Sequence, residues 1–393
     1  METATRLKGI EEYYFSKKLR QIEEMNLGGK DVINLGIGSP DLAPHPSVIE
    51  QLSIESAKPS QHGYQNYKGH ILLRNAIATF YKNWYGVTLN PTSQILPLLG
   101  SKEGLMHICM TFLNEGDQVL IPNPGYPTYR SVATIAGATC IDYQLYEHNG
   151  WMPDLDLLQK TDLSKVKLMF INYPHMPTGA LATKEQMTSM VSFAVRNNII
   201  ICHDNPYSFI LNPQPLSMLS VEGAHEVVIE LNSLSKSHNM AGWRVGMILA
   251  KAEFINEIIR FKSNMDSGMF LPVQLAAAKA LDLGKDWFSA LNDIYTSRRE
   301  RMFELLTLLH CSYEKGQAGM FVWAKIPSHY ENSFQMSDDI LLNANTFITP
   351  GSIFGSEGDN YIRASLCTRV ERIDEAISRV MKTKSERQVN QVL

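Results

Sequence analysis

The chain has 393 residues, 44% of them hydrophobic and 19% charged, with 25 glycines and 18 prolines. That is length enough for two domains and the composition of an ordinary soluble globular protein, which excludes a disordered chain, a collagen-like repeat and a disulfide scaffold. A net charge of -4 and a pI near 6.3 leave no basic field for nucleic acid or for an anionic membrane surface.

The first 25 residues, METATRLKGIEEYYFSKKLRQIEEM, spread their charges throughout and lack the apolar core of a secretory signal. No stretch reaches the roughly 20 apolar residues of a membrane helix. The cysteines Cys109, Cys140, Cys202, Cys311 and Cys367 are odd in number and scattered, with neither a CxxC pair nor zinc-like Cys/His spacing. They read as free thiols, no metal is expected, and a reducing cytoplasm is the simplest location.

Short apolar, β-branched runs then recur: QILPLL (94–99), QVLIP (118–122), KLMFIN (167–172), NIIICH (198–203), EVVIEL (226–231) and VGMILA (245–250). Amphipathic, helix-length segments such as SKEGLMHICMTFLN and TKEQMTSMVSFAVRNN lie between most of them. Near-continuous apolar strands alternating with helices predict an α/β fold with a mainly parallel sheet covered by helices on both faces. After Ala250 the pattern changes to a long helical segment (286–309), short strand-like pieces (MFVWAKI, NTFITP, NYIRASL), a closing helix and a polar tail from Lys382 expected to fray. We expect a large domain over 46–285 and a smaller α+β domain made of 286–393 with the N-terminal arm, 1–45.

The unusual residues fall just past strand ends: Gly100-Ser101-Lys102, Asn123 to Tyr126, Tyr173 to Gly179, Asp204 to Tyr207, and Ser233 to Lys236. In open α/β sheets that edge binds ligands, because its loops converge on one crevice and helix N-termini point donors into it. One shared pocket is the economical expectation. Within SLSKSHNMAGWRVG (233–246), a desolvated Lys236 can form an imine with an aldehyde, while Ser233, Ser235 and Arg244 suit a phosphate dianion. Taken alone, Lys236 reads more readily as a solvated surface lysine. Ser233-x-x-Lys236 also fits a serine-nucleophile pattern, but Ser164-x-x-Lys167 fits it equally and the companion motifs are missing.

The other candidates are just as divided when taken singly. Asp204 can pair with a pyridine nitrogen and Tyr207 with a ring oxygen, yet an Asp after a strand is more often a helix cap. Ser101 and Lys102 open a helix whose N–H groups can bind phosphate, and Tyr126 in PNPGYP can stack on a flat heterocycle. Arg363, in the alternating strand NYIRASL, can grip a carboxylate with both arms of its fork or can be a surface-strand arginine. Their joint placement at one sheet edge carries the argument.

These residues make the chain resemble the class I/II aminotransferases of the fold-type I pyridoxal-phosphate family over nearly its whole length. The matching segments run in the family's order: INLGIGSPDL, GYQNYKGHILLRNAI, LPLLGSKEGL, DQVLIPNPGYPTYRS, YPHMPTGA, HDNPYSF, SLSKSHNMAGWRVG and NYIRASL. The wording is similar to the branch containing LL-diaminopimelate and broad alanine/aspartate-type aminotransferases. The resemblance implies pyridoxal 5'-phosphate as cofactor, with Lys236 as Schiff-base lysine and proton shuttle, Asp204 on the ring nitrogen, Tyr207 on the 3-oxygen and Tyr126 stacked on the ring. It further implies phosphate contacts from Ser101, Lys102, Ser233, Ser235 and Arg244, with Tyr64 reaching the partner's phosphate in a homodimer. Arg363 and the backbone at Gly38 would hold the substrate carboxylate, Tyr14 would contact the substrate from the arm, and the segment 263–268 would reach across the interface.

One departure stands out. Met176 occupies the place where the family usually carries an asparagine that donates to the cofactor's 3-oxygen, and methionine has no such donor. Whether His175 fills that role stays open. The implied reaction is a ping-pong transfer of an amino group between an L-amino acid and a 2-oxo acid, with 2-oxoglutarate and glutamate as one pair. Two alternatives remain: β-elimination on the same scaffold, and a non-catalytic binding protein that kept the fold.

Overall fold

The computed structural model describes residues 2–10 and 12–392, with side chains described to residue 385. A short strand β1 (Ile33–Asn34) follows the N-terminal helix Tyr14–Leu27. The large sheet is then built from β2 (Ile95–Leu98), β3 (Gln118–Asn123), β4 (Thr139–Gln144), β5 (Val166–Ile171), β6 (Ile200–Asp204), β7 (Val228–Ser233) and β8 (Gly246–Leu249). Its spatial order is β2-β8-β7-β6-β5-β3-β4, and only β8 runs against the others.

Strand alternation explains the two-sided burial. Leu168 and Phe170 of β5, Ile229 and Leu231 of β7 and Ile248 of β8 face one apolar layer, closed by Leu105 and Ile108, Tyr129 and Val132, and Ile255 and Ile258 of three helices. Met169 and Ile171, Val228, and Met247 and Leu249 face the opposite layer, closed by the helices Ile71–Tyr85, Lys184–Asn197 and Leu271–Leu281. Both faces are covered, so these strands are apolar at nearly every position. The edge strand β4 was not among the expected runs. Its sequence TCIDYQ carries an acid, and most of it is only partly covered, which removes the signal that marks a central strand.

The helix Lys285–Leu308 leads into the second part of the chain. There β9 (Ser312–Tyr313), β10 (Phe321–Lys325), β11 (Thr346–Phe347), β12 (Thr349–Pro350) and β13 (Tyr361–Ser365) form an antiparallel sheet in the order β12-β13-β10-β9, while β11 pairs in parallel with β1. The N-terminal helix joins this part through Lys18, 3.2 Å from Asp338, and through the Tyr14 ring, 6.0 Å from that of Phe334. The closing helix Val370–Val392 continues through the tail expected to fray. Among the described residues no helix is long and apolar enough to cross a membrane.

Candidate active site

Because β2, β3, β5, β6 and β7 run in one direction, their C-terminal ends open onto a single edge. A cavity of about 640 Å³ lies there, and the small sheet and the N-terminal helix close its other side. It is lined by Gly38, Ser101, Lys102, Tyr126, Asp204, Tyr207, Ser233, Ser235, Lys236, Arg244 and Arg363, so nearly all the expected residues meet in one place.

Strand β7 ends at Ser233, whose Oγ accepts the Ser235 N–H at 3.0 Å and starts the single helical turn Leu234–Ser237. That turn presents Lys236, whose Nζ donates to the Gly38 carbonyl at 2.5 Å. Burial lowers the pKa of Lys236; Cys367 opposes the shift, and the guanidinium groups of Arg363 and Arg244 add to it. The neutral, nucleophilic amine is thereby made more accessible.

Asp204 is the last residue of β6. Tyr129 donates to its Oδ2 at 3.0 Å, while its Oδ1 is buried with no partner. Burial pushes this carboxyl up to about 6, with the Tyr129 bond and the neighbouring His203 pulling the other way. A buried, half-satisfied carboxylate is costly, so this atom awaits a donor.

The anion cradle lies where the Ser101–Phe112 helix begins. Gly100 has φ 92°, and a Cβ there would lie 2.2 Å from an Arg244 terminal nitrogen; a Cβ on Gly246 would lie 2.5 Å from the Ser101 backbone nitrogen. The two glycines thus let guanidinium, helix N-terminus and strand end approach closely. Arg244 donates to the Ala241 carbonyl at 2.9 Å, and Lys102 Nζ sits 4.8 Å from the Tyr13 ring centroid.

Arg363, on β13, is buried among rings: its guanidinium carbon is 3.9 Å from the Phe321 ring centroid, 4.7 Å from Phe354 and 5.4 Å from Phe15. It donates to the Gly36 carbonyl at 2.8 Å and touches Met176 Sδ at 3.2 Å, while its Nε has no partner. Burial lowers it to about 10. Tyr207 sets its ring edge-on to Phe321 at 5.9 Å, and Gly38 passes so close that a Cβ would fall 2.2 Å from that phenylalanine.

One residue expected at this cavity lies elsewhere. Tyr14 turns toward Phe334, its hydroxyl buried and unpartnered, whereas Tyr13 and Phe15 line the cavity. Tyr13 immediately precedes the helix that Tyr14 begins, and successive side chains at a helix start point in different directions. Tyr64 is 93% exposed on a loop outside the cavity. The segment 263–268 packs beside that loop, since a Cβ on Gly268 would lie 2.7 Å from the Gln65 carbonyl.

His175 is not at the cavity. Its Nδ1 pairs with Thr178 Oγ1 at 2.8 Å, and burial lowers it to about 3. Met176 does line the cavity, as does Asn172, which sequence reasoning missed. Asn172 ends the run KLMFIN, accepts the Met176 N–H at 2.7 Å and donates to the Asp204 carbonyl. Phe15, Ser16 and Leu19 were also missed; the aromatic run before a helical repeat was visible, but not which face it turned inward. Away from the cavity, Glu103, His107 and Asp266 bring ligand atoms within 4.8 Å of one another. The buried Lys262 ammonium contacts both Asp266 oxygens, at 2.8 and 2.7 Å, and so already supplies a positive charge there.

A family model described as aminotransferase class I and II matches residues 30–380. The chain belongs to the class I and II aminotransferases. It is therefore an enzyme, a transferase of amino groups. It is similar to an LL-diaminopimelate aminotransferase of Dehalococcoides mccartyi, 37% identical over 98% of this chain and 100% of that protein. Transaminase BacF of Bacillus subtilis is 39% identical over 96% of this chain and 95% of its own length. A solved, substrate-bound structure of BacF superposes with a TM-score of 0.93 over 97% of this aminotransferase and 98% of that chain, at 37% identity.

Proposed function

We propose that this aminotransferase uses pyridoxal 5'-phosphate to move the amino group of an L-amino acid onto a 2-oxo acid, with 2-oxoglutarate and glutamate as one pair. The observation that carries this reading is the unpartnered Oδ1 of Asp204, buried in the cavity that also holds the amine of Lys236. It fits a protonated ring nitrogen. When bound, the cofactor supplies a covalent attachment for the amino group and a ring that delocalises the electrons left at the substrate's α-carbon.

The protein's own groups divide the remaining work. Ser101, Ser233, Ser235 and Arg244, with the helix N-terminus behind Ser101, offer hydroxyl, guanidinium and backbone donors to the phosphate, and Lys102 adds charge at the rim. Tyr126 gives a flat face to the ring. Tyr207 would donate to its oxygen, and burial keeps that hydroxyl protonated far above its usual range. Arg363 receives the substrate carboxylate in a low-dielectric aromatic box, where the pairing is strongest. Lys236 Nζ, free of its proton, would take the proton from the substrate's α-carbon, leaving the electron pair behind, and would return a proton to the α-carbon when the 2-oxo acid is converted in turn.

The exposed Tyr64 and Met265, 93% and 59% accessible, support a homodimer in which these neighbouring loops meet a second copy. The test is to load the enzyme with pyridoxal phosphate and screen amino donors, LL-diaminopimelate and aromatic amino acids among them, against 2-oxoglutarate while following glutamate. Pyruvate and ammonia released without an acceptor would instead identify an elimination, and no cofactor-dependent absorbance would sink the proposal.

A further inference from the structure

Strand β6 ends His203-Asp204, and alternation sends the two side chains to opposite faces of the sheet. Asp204 meets Tyr129 on one side. His203 turns to the other, opposite its register partner Glu230 on the neighbouring strand β7. Both His203 and Glu230 are wholly buried.

Both ring nitrogens of His203 face acceptors. Nε2 lies 3.2 Å from the Tyr173 backbone oxygen, which has no hydrogen to give, so Nε2 must carry one. Nδ1 lies 2.9 Å from Glu230 Oε2. That oxygen also receives the Ser217 hydroxyl and the Met218 N–H, each at 2.9 Å, and Oε1 receives the Tyr81 hydroxyl at 2.8 Å. The Tyr81 oxygen in turn accepts from Asn232 Nδ2 at 3.0 Å, while its hydrogen points to Glu230. A carboxyl group surrounded by donors on both oxygens is charged and has nothing to donate. Nδ1 therefore carries a hydrogen as well, and His203 is an imidazolium paired with a buried carboxylate.

We propose that His203 is a positioning residue of the reaction: locked as an imidazolium by Glu230, it fixes a positive charge next to Asp204 and keeps that carboxylate charged for the cofactor's ring nitrogen. This role rests on the reading of Asp204 given above. The pair is oriented for the task, because its positive end belongs to the residue adjoining Asp204 and its negative end to the next strand. The charge opposes the burial that disfavours an ionised Asp204. The titratable groups facing His203 are Glu230 from β7 and Tyr81, behind it, from the helix Ile71–Tyr85; Tyr173 presents only its carbonyl.

Neutron diffraction from deuterated holoenzyme crystals at neutral pH reads the protonation directly. Deuterium is expected on both ring nitrogens of His203, and a bare nitrogen would overturn the proposal. The role is read from two variants. His203→Gln alone leaves Glu230 buried without its cation and should lower the melting temperature. The double variant His203→Gln/Glu230→Gln keeps polar groups of similar size without either charge and should recover much of that loss, which separates fold from chemistry. It should still lose kcat at neutral pH about tenfold and move the acid limb of its pH profile up by about one unit, with KM for the amino donor changed less than about twofold. A double variant with the parental profile would overturn the role. A parent enzyme that binds no pyridoxal phosphate would remove the Asp204 reading, and this role with it, while the deuterons on His203 would stand.

Discussion

The two walls of the cavity are built on opposite plans. The wall formed by the sheet edge carries Ser101, Asp204, Ser233, Ser235, Lys236 and Arg244, and the facing wall carries Arg363 among Tyr13, Phe15, Ile37 and Phe321. The phosphate contacts proposed for the first wall are shared among Ser101, Ser233, Ser235 and Arg244, so losing one is tolerable. On the second wall binding is concentrated in a single guanidinium, made potent by the rings that exclude water from it. Distributed binding suits a group that stays. Concentrated binding suits a substrate that must be recognised by one carboxylate and then leave.

The contrast breaks most sharply at the one residue of the first wall that has no understudy. Lys236→Ala should reduce transamination by more than about 10³-fold, since both the attachment and the proton transfer are lost, while phosphate-wall contacts still retain the cofactor. Turnover together with the absorbance of the bound cofactor checks this, and retained turnover would refute it. Asp204→Asn comes next. Its amide oxygen can still accept from Tyr129, but the charge is gone, and kcat should fall roughly 10²-fold.

Asp204 also sets a pH dependence. Burial raises its folded-state value to about 6, so in the cofactor-free enzyme the carboxylate is charged above that pH and neutral below it. A protonated ring nitrogen needs the charged form. Cofactor affinity should therefore weaken as pH falls through about 6, and Asp204→Asn should flatten that limb; equilibrium titrations with pyridoxal phosphate at several pH values decide it.

A smaller effect probes the second wall. Arg363→Lys keeps the charge but loses the fork and much of the packing against Phe321, so KM should rise about 30–100-fold with kcat less affected. On the proposed reading amino donor and 2-oxo acid share one carboxylate clamp, so both KM values should rise together. A rise in only one would mean that the substrates use different anchors.

The same contrast decides what was legible in the sequence. The first wall is assembled from short local segments, such as the twelve-residue stretch from Ser233 to Arg244, so motif and strand-end position suffice to find it. The second wall joins Phe15, Phe321 and Arg363, which are far apart in the chain and share no pattern. The alternating strand NYIRASL left Arg363 divided between a carboxylate clamp and a surface arginine, and the resemblance to a family segment chose the clamp. Tyr14 was named from the resemblance alone, since nothing in the sequence fixes where a helix begins to within one residue, and that residue turns the side chain away from the cavity. Strand β4 was missed for a related reason: periodicity reports burial, and an edge strand is incompletely buried. Asn172 and His203 were hidden inside runs that read simply as apolar strands. Their hydrogen-bonding partners come from other strands and loops, which only the fold brings together.

The finest test falls where the two walls touch. Met176 lines the cavity with its sulfur 3.2 Å from an Arg363 nitrogen, and its backbone N–H is already held by Asn172. A thioether is a weak acceptor and no donor, so Met176 leaves the Arg363 fork largely free and gives the cofactor's ring oxygen nothing. Met176→Asn would supply an amide that can serve both. Its N–H₂ should stabilise the ring oxygen in its charged form, lowering the pH midpoint of the bound cofactor's absorbance change by about half to one unit, the equivalent of one hydrogen bond. Its carbonyl should compete with the substrate for Arg363 and raise KM about two- to threefold. A lower midpoint with unchanged KM would place Met176 functionally on the cofactor's wall, and the reverse on the substrate's. If neither moves, the side chain at 176 serves only to fill space between them.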